Sequence, residues 1–287
     1  MKRGQVIGLV AMLAAVVAIA VFVYNAGREN KDASSGKLQV TTSFYPMAYL
    51  AERIGGEYVS VTNLTPGGSE PHDFEPSARD IAKIQDADVL VLNGGVEVWG
   101  DRVASQLADT NVHIVVAGEG LQTMEATEDG HEEEEEEHED GSTDPHIWLD
   151  PVLYKQQAAR VAEAFIAKDS ENADVYRANL ATLSDELDAL DGEYRAGLSS
   201  CVAKEFVTSH TAFAYLAERY NLHQVAISGI SPDTEPSPAE LAKVADFARE
   251  HGVTHIFFET LVSPRLSETI ANEVGAQTLV LNPLEGL

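Results

Sequence analysis

From Leu38 onward, short apolar runs rich in β-branched residues alternate with amphipathic stretches of helical length. LQVTTSF, YVSVTNL, ADVLVLN and NVHIVVAG read as four strands of a first half, and EFVTS, LHQVAIS, THIFFET and QTLVL as four strands of a second. The intervening segments carry helix punctuation. Pro46 opens one helix that Gly55 and Gly56 close, Ser77 with Asp80 three residues on begins another, and a third lies near 99 to 109. In the second half a helix runs from Ala212 to Tyr220. Ser237, Pro238 and Glu240 supply an N-cap, a first-turn proline and a capping box, and Ser263 with Pro264 opens a last helix. Strands alternating with helices predict an α/β fold with parallel sheets and right-handed crossovers. The two halves share this plan without a strong residue-level repeat.

Between the halves the period changes to that of a long helix. Residues 152 to 168 (VLYKQQAARVAEAFIAK) place apolar side chains at helical spacing and should pack on the first lobe. Residues 171 to 198 continue with Val175, Leu180, Leu183, Leu187, Leu190 and Tyr194 and no glycine before Gly192. About 26 helical residues would span roughly 40 Å. A single rigid helix as the only link would restrict two lobes to small rocking motions; the alternative is an ordinary packed helix within one larger domain. The expected division is therefore a lobe at 38–168, a linking helix at 169–199 and a lobe at 200–287.

The N-terminus changes the setting. Lys2 and Arg3 precede an uncharged apolar run from Val6 to Tyr24, nineteen residues that fit either a cleaved signal peptide or an uncleaved membrane anchor. With the positive residues inside, everything after the polar linker at 25–37 is exported. The one cysteine, Cys201, cannot form an intramolecular disulfide and reads as a small buried residue. The net charge of −28 argues against nucleic acid as a partner and suits a protein that attracts cations. Residues 128 to 140 alone hold ten carboxylates and no Lys or Arg, in a stretch (125–143) expected to be a disordered loop. His131 and His138 within it would make a low-affinity metal collector beside the main site.

The candidate chemistry sits where strands end. His72 follows the second predicted strand, His146 follows the fourth and its acidic insertion, His210 comes straight after EFVTS, and Glu285 lies just past QTLVL. Ligands in open α/β sheets converge beyond the carboxyl ends of strands, so the four would point into a cleft between facing lobes. Three imidazoles and one carboxylate form a tetrahedral set suited to Zn²⁺, whereas Mn²⁺ prefers more oxygen donors. Asp144 and Asp150 are expected to hold the His146 imidazole in place, and Trp148 to wall the site off from water. Phe74 and Pro76 could shield His72. His113, His223, His251 and His255 fit structural or surface roles.

The segments PHDFEPS, DPHIWLDP, SHTAF and LNPLEGL, in this order and spacing, resemble the metal-specific solute-binding proteins of ABC transporters that capture zinc or manganese. The likeness covers Leu38 to Leu287. It implies two α/β lobes joined by one long helix with metal held in the cleft between them, His72, His146 and His210 as the histidine ligands, and Glu285 at the acidic fourth position. The acidic, His-bearing insertion resembles the loop of zinc members. The function implied is non-enzymatic, high-affinity zinc capture outside the cytoplasm by a monomer that delivers Zn²⁺ to an ABC permease driven by its cytoplasmic ATPase. A manganese-binding member and a surface adhesin with a structural metal are the alternatives. A zinc hydrolase with Glu285 as general base is disfavoured because no HExxH pattern is present. Relatives usually continue past the position of Leu287 with a further helix, and some carry an N-terminal lipid-anchoring cysteine that this sequence lacks.

Overall fold

The structure, a computed structural model, describes residues 36–125, 143–232 and 235–287. The apolar run at 1–24 and the loop histidines His131 and His138 lie outside the described residues. Among the described residues no helix is long and apolar enough to cross a membrane.

In the first half the strands β1 (Leu38–Thr42), β2 (Val59–Asn63), β3 (Val89–Leu92) and β4 (His113–Val116) form a parallel sheet in the order β2-β1-β3-β4. Helices α1 (Tyr45–Gly55), α2 (Ala78–Asp86) and α3 (Gly100–Leu107) connect them. The strand VLVL of β3 is buried along its whole length, as a central parallel strand must be. Its alternation divides it: Val89 and Val91 join the core under α1, while Leu90 and Leu92 pack with Ile84, Trp99 and Val103 on the other face. Ser77 and Asp80 form the reciprocal capping box that the sequence predicts.

Helices α4 (Pro151–Lys168) and α5 (Ala173–Leu198) follow, joined by a short 3₁₀ turn at Ser170–Asn172. Tyr176, Leu183 and Leu187 fall on one buried stripe of α5 and enter the core of the first half, and Arg53 of α1 grips Glu186 at 2.7 and 2.8 Å. At 26 residues α5 carries the chain once from the first lobe to the second.

The second half repeats the design. Strands β5 (Glu205–Thr208), β6 (His223–Ala226), β7 (His255–Phe258) and β8 (Gln277–Val280) form a parallel sheet in the order β6-β5-β7-β8, with helices α6 (Ala214–Arg219), α7 (Pro238–Glu250) and α8 (Arg265–Val274). Its own core gathers Val207, Val225, Ile227, Val244, Ile256 and Ile270. Ser237 and Glu240 cap α7 as expected. The fold is thus two parallel-sheet α/β lobes linked by one long helix. One expectation fails: Cys201 is exposed, because it sits in the turn just past α5 rather than in a strand.

Candidate metal centre

Both sheets change winding direction between their two central strands, which opens a crevice at the carboxyl ends of those strands. In the second lobe His210 lies two residues past β5 and Glu259 one residue past β7, on either side of that crevice. His210 Nδ1 meets Glu259 Oε1 at 2.6 Å. The turn that presents His210 is fixed from behind. Its carbonyl accepts from Thr208 Oγ1 at 2.8 Å and from Gln224 Nε2 at 2.9 Å.

The first lobe builds its contribution differently. The chain between β4 and α4 returns at Thr143, which bridges Glu125, and then runs through Asp144, Pro145 and His146 into a 3₁₀ turn at Ile147–Leu149. Asn93, just past β3, donates to the Pro145 carbonyl at 2.9 Å and accepts from the buried Gln157 of α4 at 2.8 Å. Gly95, at φ +85, lets this segment pack close, since a Cβ there would stand 2.9 Å from Pro145 Cβ. Asp144 Oδ1 then accepts both the His146 backbone N–H at 2.9 Å and the imidazole Nδ1–H at 2.7 Å.

These bonds decide which way the imidazoles face. With Nδ1–H of His146 and His210 given to carboxylates, the Nε2 atoms point inward. His146 Nε2 stands 3.2 Å from His72 Nε2 and 3.3 Å from His210 Nε2. Glu285 Oε1 lies 3.9, 3.5 and 3.6 Å from the Nε2 atoms of His72, His146 and His210. His146, His210 and Glu285 are buried and His72 nearly so. One ligand atom from each of the four lies within 4.8 Å of every other. Two of the four come from each lobe.

The set has the chemistry of a cation site. The edge of a tetrahedron with metal–ligand bonds of zinc length is about 3.3–3.4 Å, and the five separations above run from 3.2 to 3.9 Å, close to that edge or somewhat longer. Both oxygens of Glu285 are buried without a hydrogen-bond partner, a costly arrangement unless a cation neutralises them. Residue 285 is also aimed under local strain, because Leu284 takes φ +66, a left-handed conformation that side chains other than glycine avoid. Next to it, Gly286 approaches the first lobe so closely that a Cβ would stand 2.9 Å from the Ser69 carbonyl.

The electrostatics follow from this crowding. Burial works against charge on His210, but the Glu259 and Glu285 carboxylates on either side overcome it and raise its pKa to about 10. Burial also opposes ionisation of Glu285, yet the facing His210 and His72 imidazoles hold its carboxyl far below the usual carboxylate range. His146 is held below its ordinary value, with burial outweighing the help from Asp144. Without metal, the site holds a proton on His210.

The Trp148 ring lies 5.1 Å from that of His146, and its Nε1 donates to the Pro283 carbonyl at 2.8 Å. Asp150 corrects the sequence expectation. Its carboxylate caps α4 through Val152 and Leu153 and pairs with Arg219, so it does not orient a ligand imidazole. Phe74 packs on Trp99 in the outer core, 6.4 Å between ring centroids. Two carboxylates went unread in the sequence. Glu259 orients His210, and Glu70, which accepts the His72 backbone N–H at 3.2 Å, is raised to about 7 by burial and by Glu285.

Residues 40–287 match the family described as zinc-uptake complex component A, periplasmic. The high-affinity zinc uptake system protein ZnuA of Bacillus subtilis is 40% identical over 283 residues, covering 98% of this chain and 89% of that protein. The zinc-binding lipoprotein AdcA of Streptococcus pneumoniae is 38% identical over 265 residues; the match covers 90% of this chain but only 52% of AdcA, so the chain spans about half that relative's length. Among solved structures, the laminin-binding protein Lmb of Streptococcus agalactiae, described as bifunctional with adhesin and metal-transporting activity, superposes with a TM-score of 0.77. It is 34% identical, and the match covers 87% of this chain and 90% of that one.

Proposed function

The chain belongs to the family of periplasmic A components of zinc-uptake complexes, and from that premise we propose that it captures Zn²⁺ outside the cytoplasm and hands it to an ABC permease driven by a cytoplasmic ATPase. In this reading residues 38–168 and 200–287 are the capture lobes, 169–199 is the link, and the segment at 1–24 exports or anchors the protein. It acts as a monomer and carries out no chemistry on its cargo. The ligands are His72, His146, His210 and Glu285, and the convergence of one donor atom from each to within 4.8 Å of every other is the observation that carries the proposal.

Each ligand has a part. Asp144 and Glu259 fix two imidazole orientations, so each Nε2 already faces the metal position. Glu285 supplies the negative charge that suits the set to a divalent cation. Four protein ligands leave no open position for an activated water, which speaks against hydrolysis. Three nitrogens and one oxygen favour zinc over manganese. With two ligands from each lobe, cargo ties the lobes together, and release requires that the permease draw them apart.

Calorimetric titration of metal-stripped protein with Zn²⁺ and Mn²⁺, alongside the His72→Ala, His146→Ala, His210→Ala triple variant, tests this. One tight zinc site in the wild type, absent from the variant, is expected. Tight binding that survives the triple substitution would move the metal elsewhere and remove the proposal's support. The likeness to Lmb raises a second role in adhesion, which immobilised laminin tests: saturable binding would add that role, and none would leave capture alone.

A further inference from the structure

Helix α6 begins four residues after the ligand His210 and turns one face toward the first lobe. Tyr215 and Arg219 are four apart on it, hence neighbours on the same side. The buried Tyr215 hydroxyl donates to the Asp144 carbonyl at 3.0 Å and accepts the backbone N–H groups of Thr123 and Met124, each at 3.1 Å. Arg219 pairs with the buried Asp150, with Nε and one terminal nitrogen at 2.7 and 2.6 Å from the same carboxylate oxygen. Asp144 lies two residues before His146 and Asp150 four after it, so one helical turn of the second lobe grips both ends of the segment that presents a first-lobe ligand. Just before α6, Ala212 and Phe213 are buried in the first lobe's core and seat the helix there.

We propose that Tyr215 and Arg219 form an interlobe latch that sets the spacing between His146 and His210, and that they are positioning residues for zinc affinity and selectivity. The inference rests on the metal-capture reading above. His146 Nε2 and His210 Nε2 stand 3.3 Å apart, close to the edge a tetrahedral zinc ion needs, and a hydrogen bond between the rings at that distance is lost once both nitrogens face a metal. Something must hold two imidazoles from different lobes at that separation. Tyr215 does so through the residue that orients His146, since the carbonyl it binds and the carboxylate that meets Nδ1 both belong to Asp144. Arg219 does so through the cap of α4, which fixes where the 3₁₀ turn after His146 ends. A latched pair favours a small tetrahedral ion and penalises a larger one that needs the imidazoles spread.

The test uses Tyr215→Phe, Arg219→Met, the double variant and Arg219→Lys in the full-length protein. Ile270→Ala, in the second-lobe core away from the site, serves as a control for general destabilisation. Metal-free melting curves establish which variants are folded. Two readouts then follow: the visible spectrum of the Co²⁺-loaded protein, which reports tetrahedral coordination, and the rate of zinc release to a chelator. Supporting residues of this kind are worth about 10–100-fold in metal affinity. Each single variant is expected to release zinc about tenfold faster, with a weakened tetrahedral cobalt band and a smaller zinc-to-manganese preference. The double variant should be worse, and Arg219→Lys should recover part of the loss. Ile270→Ala should lower the melting temperature yet leave the cobalt band and zinc release unchanged. A double variant with wild-type cobalt spectrum and release rate would overturn the latch alone. A wild-type protein with no tetrahedral cobalt signal would overturn the capture reading and the latch with it.

Discussion

At the scale of single residues, the site depends on which nitrogen of each imidazole carries the proton. Glu259→Gln or Asp144→Asn leaves the ligand in place but removes the carboxylate that fixes its tautomer, and each should weaken zinc binding by about 10–100-fold, measured by chelator competition. The pKa of His210, raised to about 10, gives a second expectation. The sign is fixed by which form binds metal: His210 is protonated in the metal-free site, and only the deprotonated imidazole ligates. Zinc must therefore displace a proton, and affinity rises with pH from neutrality up to about 10. In the metal-free protein the same raised pKa stabilises the fold below the unfolded value of about 6.5, and that contribution is lost as pH climbs through about 10. Titration at pH 8 in buffers of different ionisation enthalpy should report release of about one proton per zinc; a heat independent of buffer would contradict a charged His210.

The sequence exposed these residues unevenly. His72, His146 and His210 stand out because each follows a strand and two sit beside prolines and aromatics, and the structure draws them together with Glu285. Glu259 carries no such mark. It is the last but one residue of THIFFET, and only the pairing of β7 beside β5 places it against His210. Asp150 carried a signal that pointed elsewhere, since Asp before Pro at the start of a long helix is an N-cap pattern, and it is as a cap that it serves.

At the scale of elements, helices were legible to within a residue or two wherever capping chemistry marked them, as at Ser77 and Ser237. The sequence starts helix α6 two residues early, at Ala212, because Ala212 and Phe213 are apolar, yet both lie in the turn that follows His210. The linking helix α5 is the element whose stiffness matters most. Gly192 lies in its interior, and a Cβ there would meet nothing within 4 Å. Gly192→Ala should stabilise the protein by about 0.5–1 kcal/mol in denaturant unfolding, since it removes only the entropic cost of glycine in a helix. Zinc affinity should not change, because α5 presents none of the four ligands.

At the scale of the whole molecule, two parallel sheets of identical strand order face a shared cleft, a likeness of architecture that no residue-level repeat in the sequence reveals. What the sequence could not supply was the join: Tyr215 to Asp144 and Arg219 to Asp150 are contacts across about 70 residues of chain between groups with no local signature. Because zinc binds only the folded arrangement, it should stabilise the protein by about 4 kcal/mol at a thousandfold excess over its dissociation constant. For a protein of this size that is a rise in melting temperature of roughly 8–16 °C. The His72→Ala, His146→Ala, His210→Ala triple variant should lose that rise.

The measurement that bears most directly on zinc capture by His72, His146, His210 and Glu285 is X-ray absorption at the zinc edge of protein loaded with one equivalent. Three imidazole nitrogens and one carboxylate oxygen at about 2.0–2.1 Å, falling to two imidazoles when any one of the histidines is replaced by alanine, is the expected result. A shell of five or six oxygens, or a count of imidazoles unchanged by those substitutions, would contradict it.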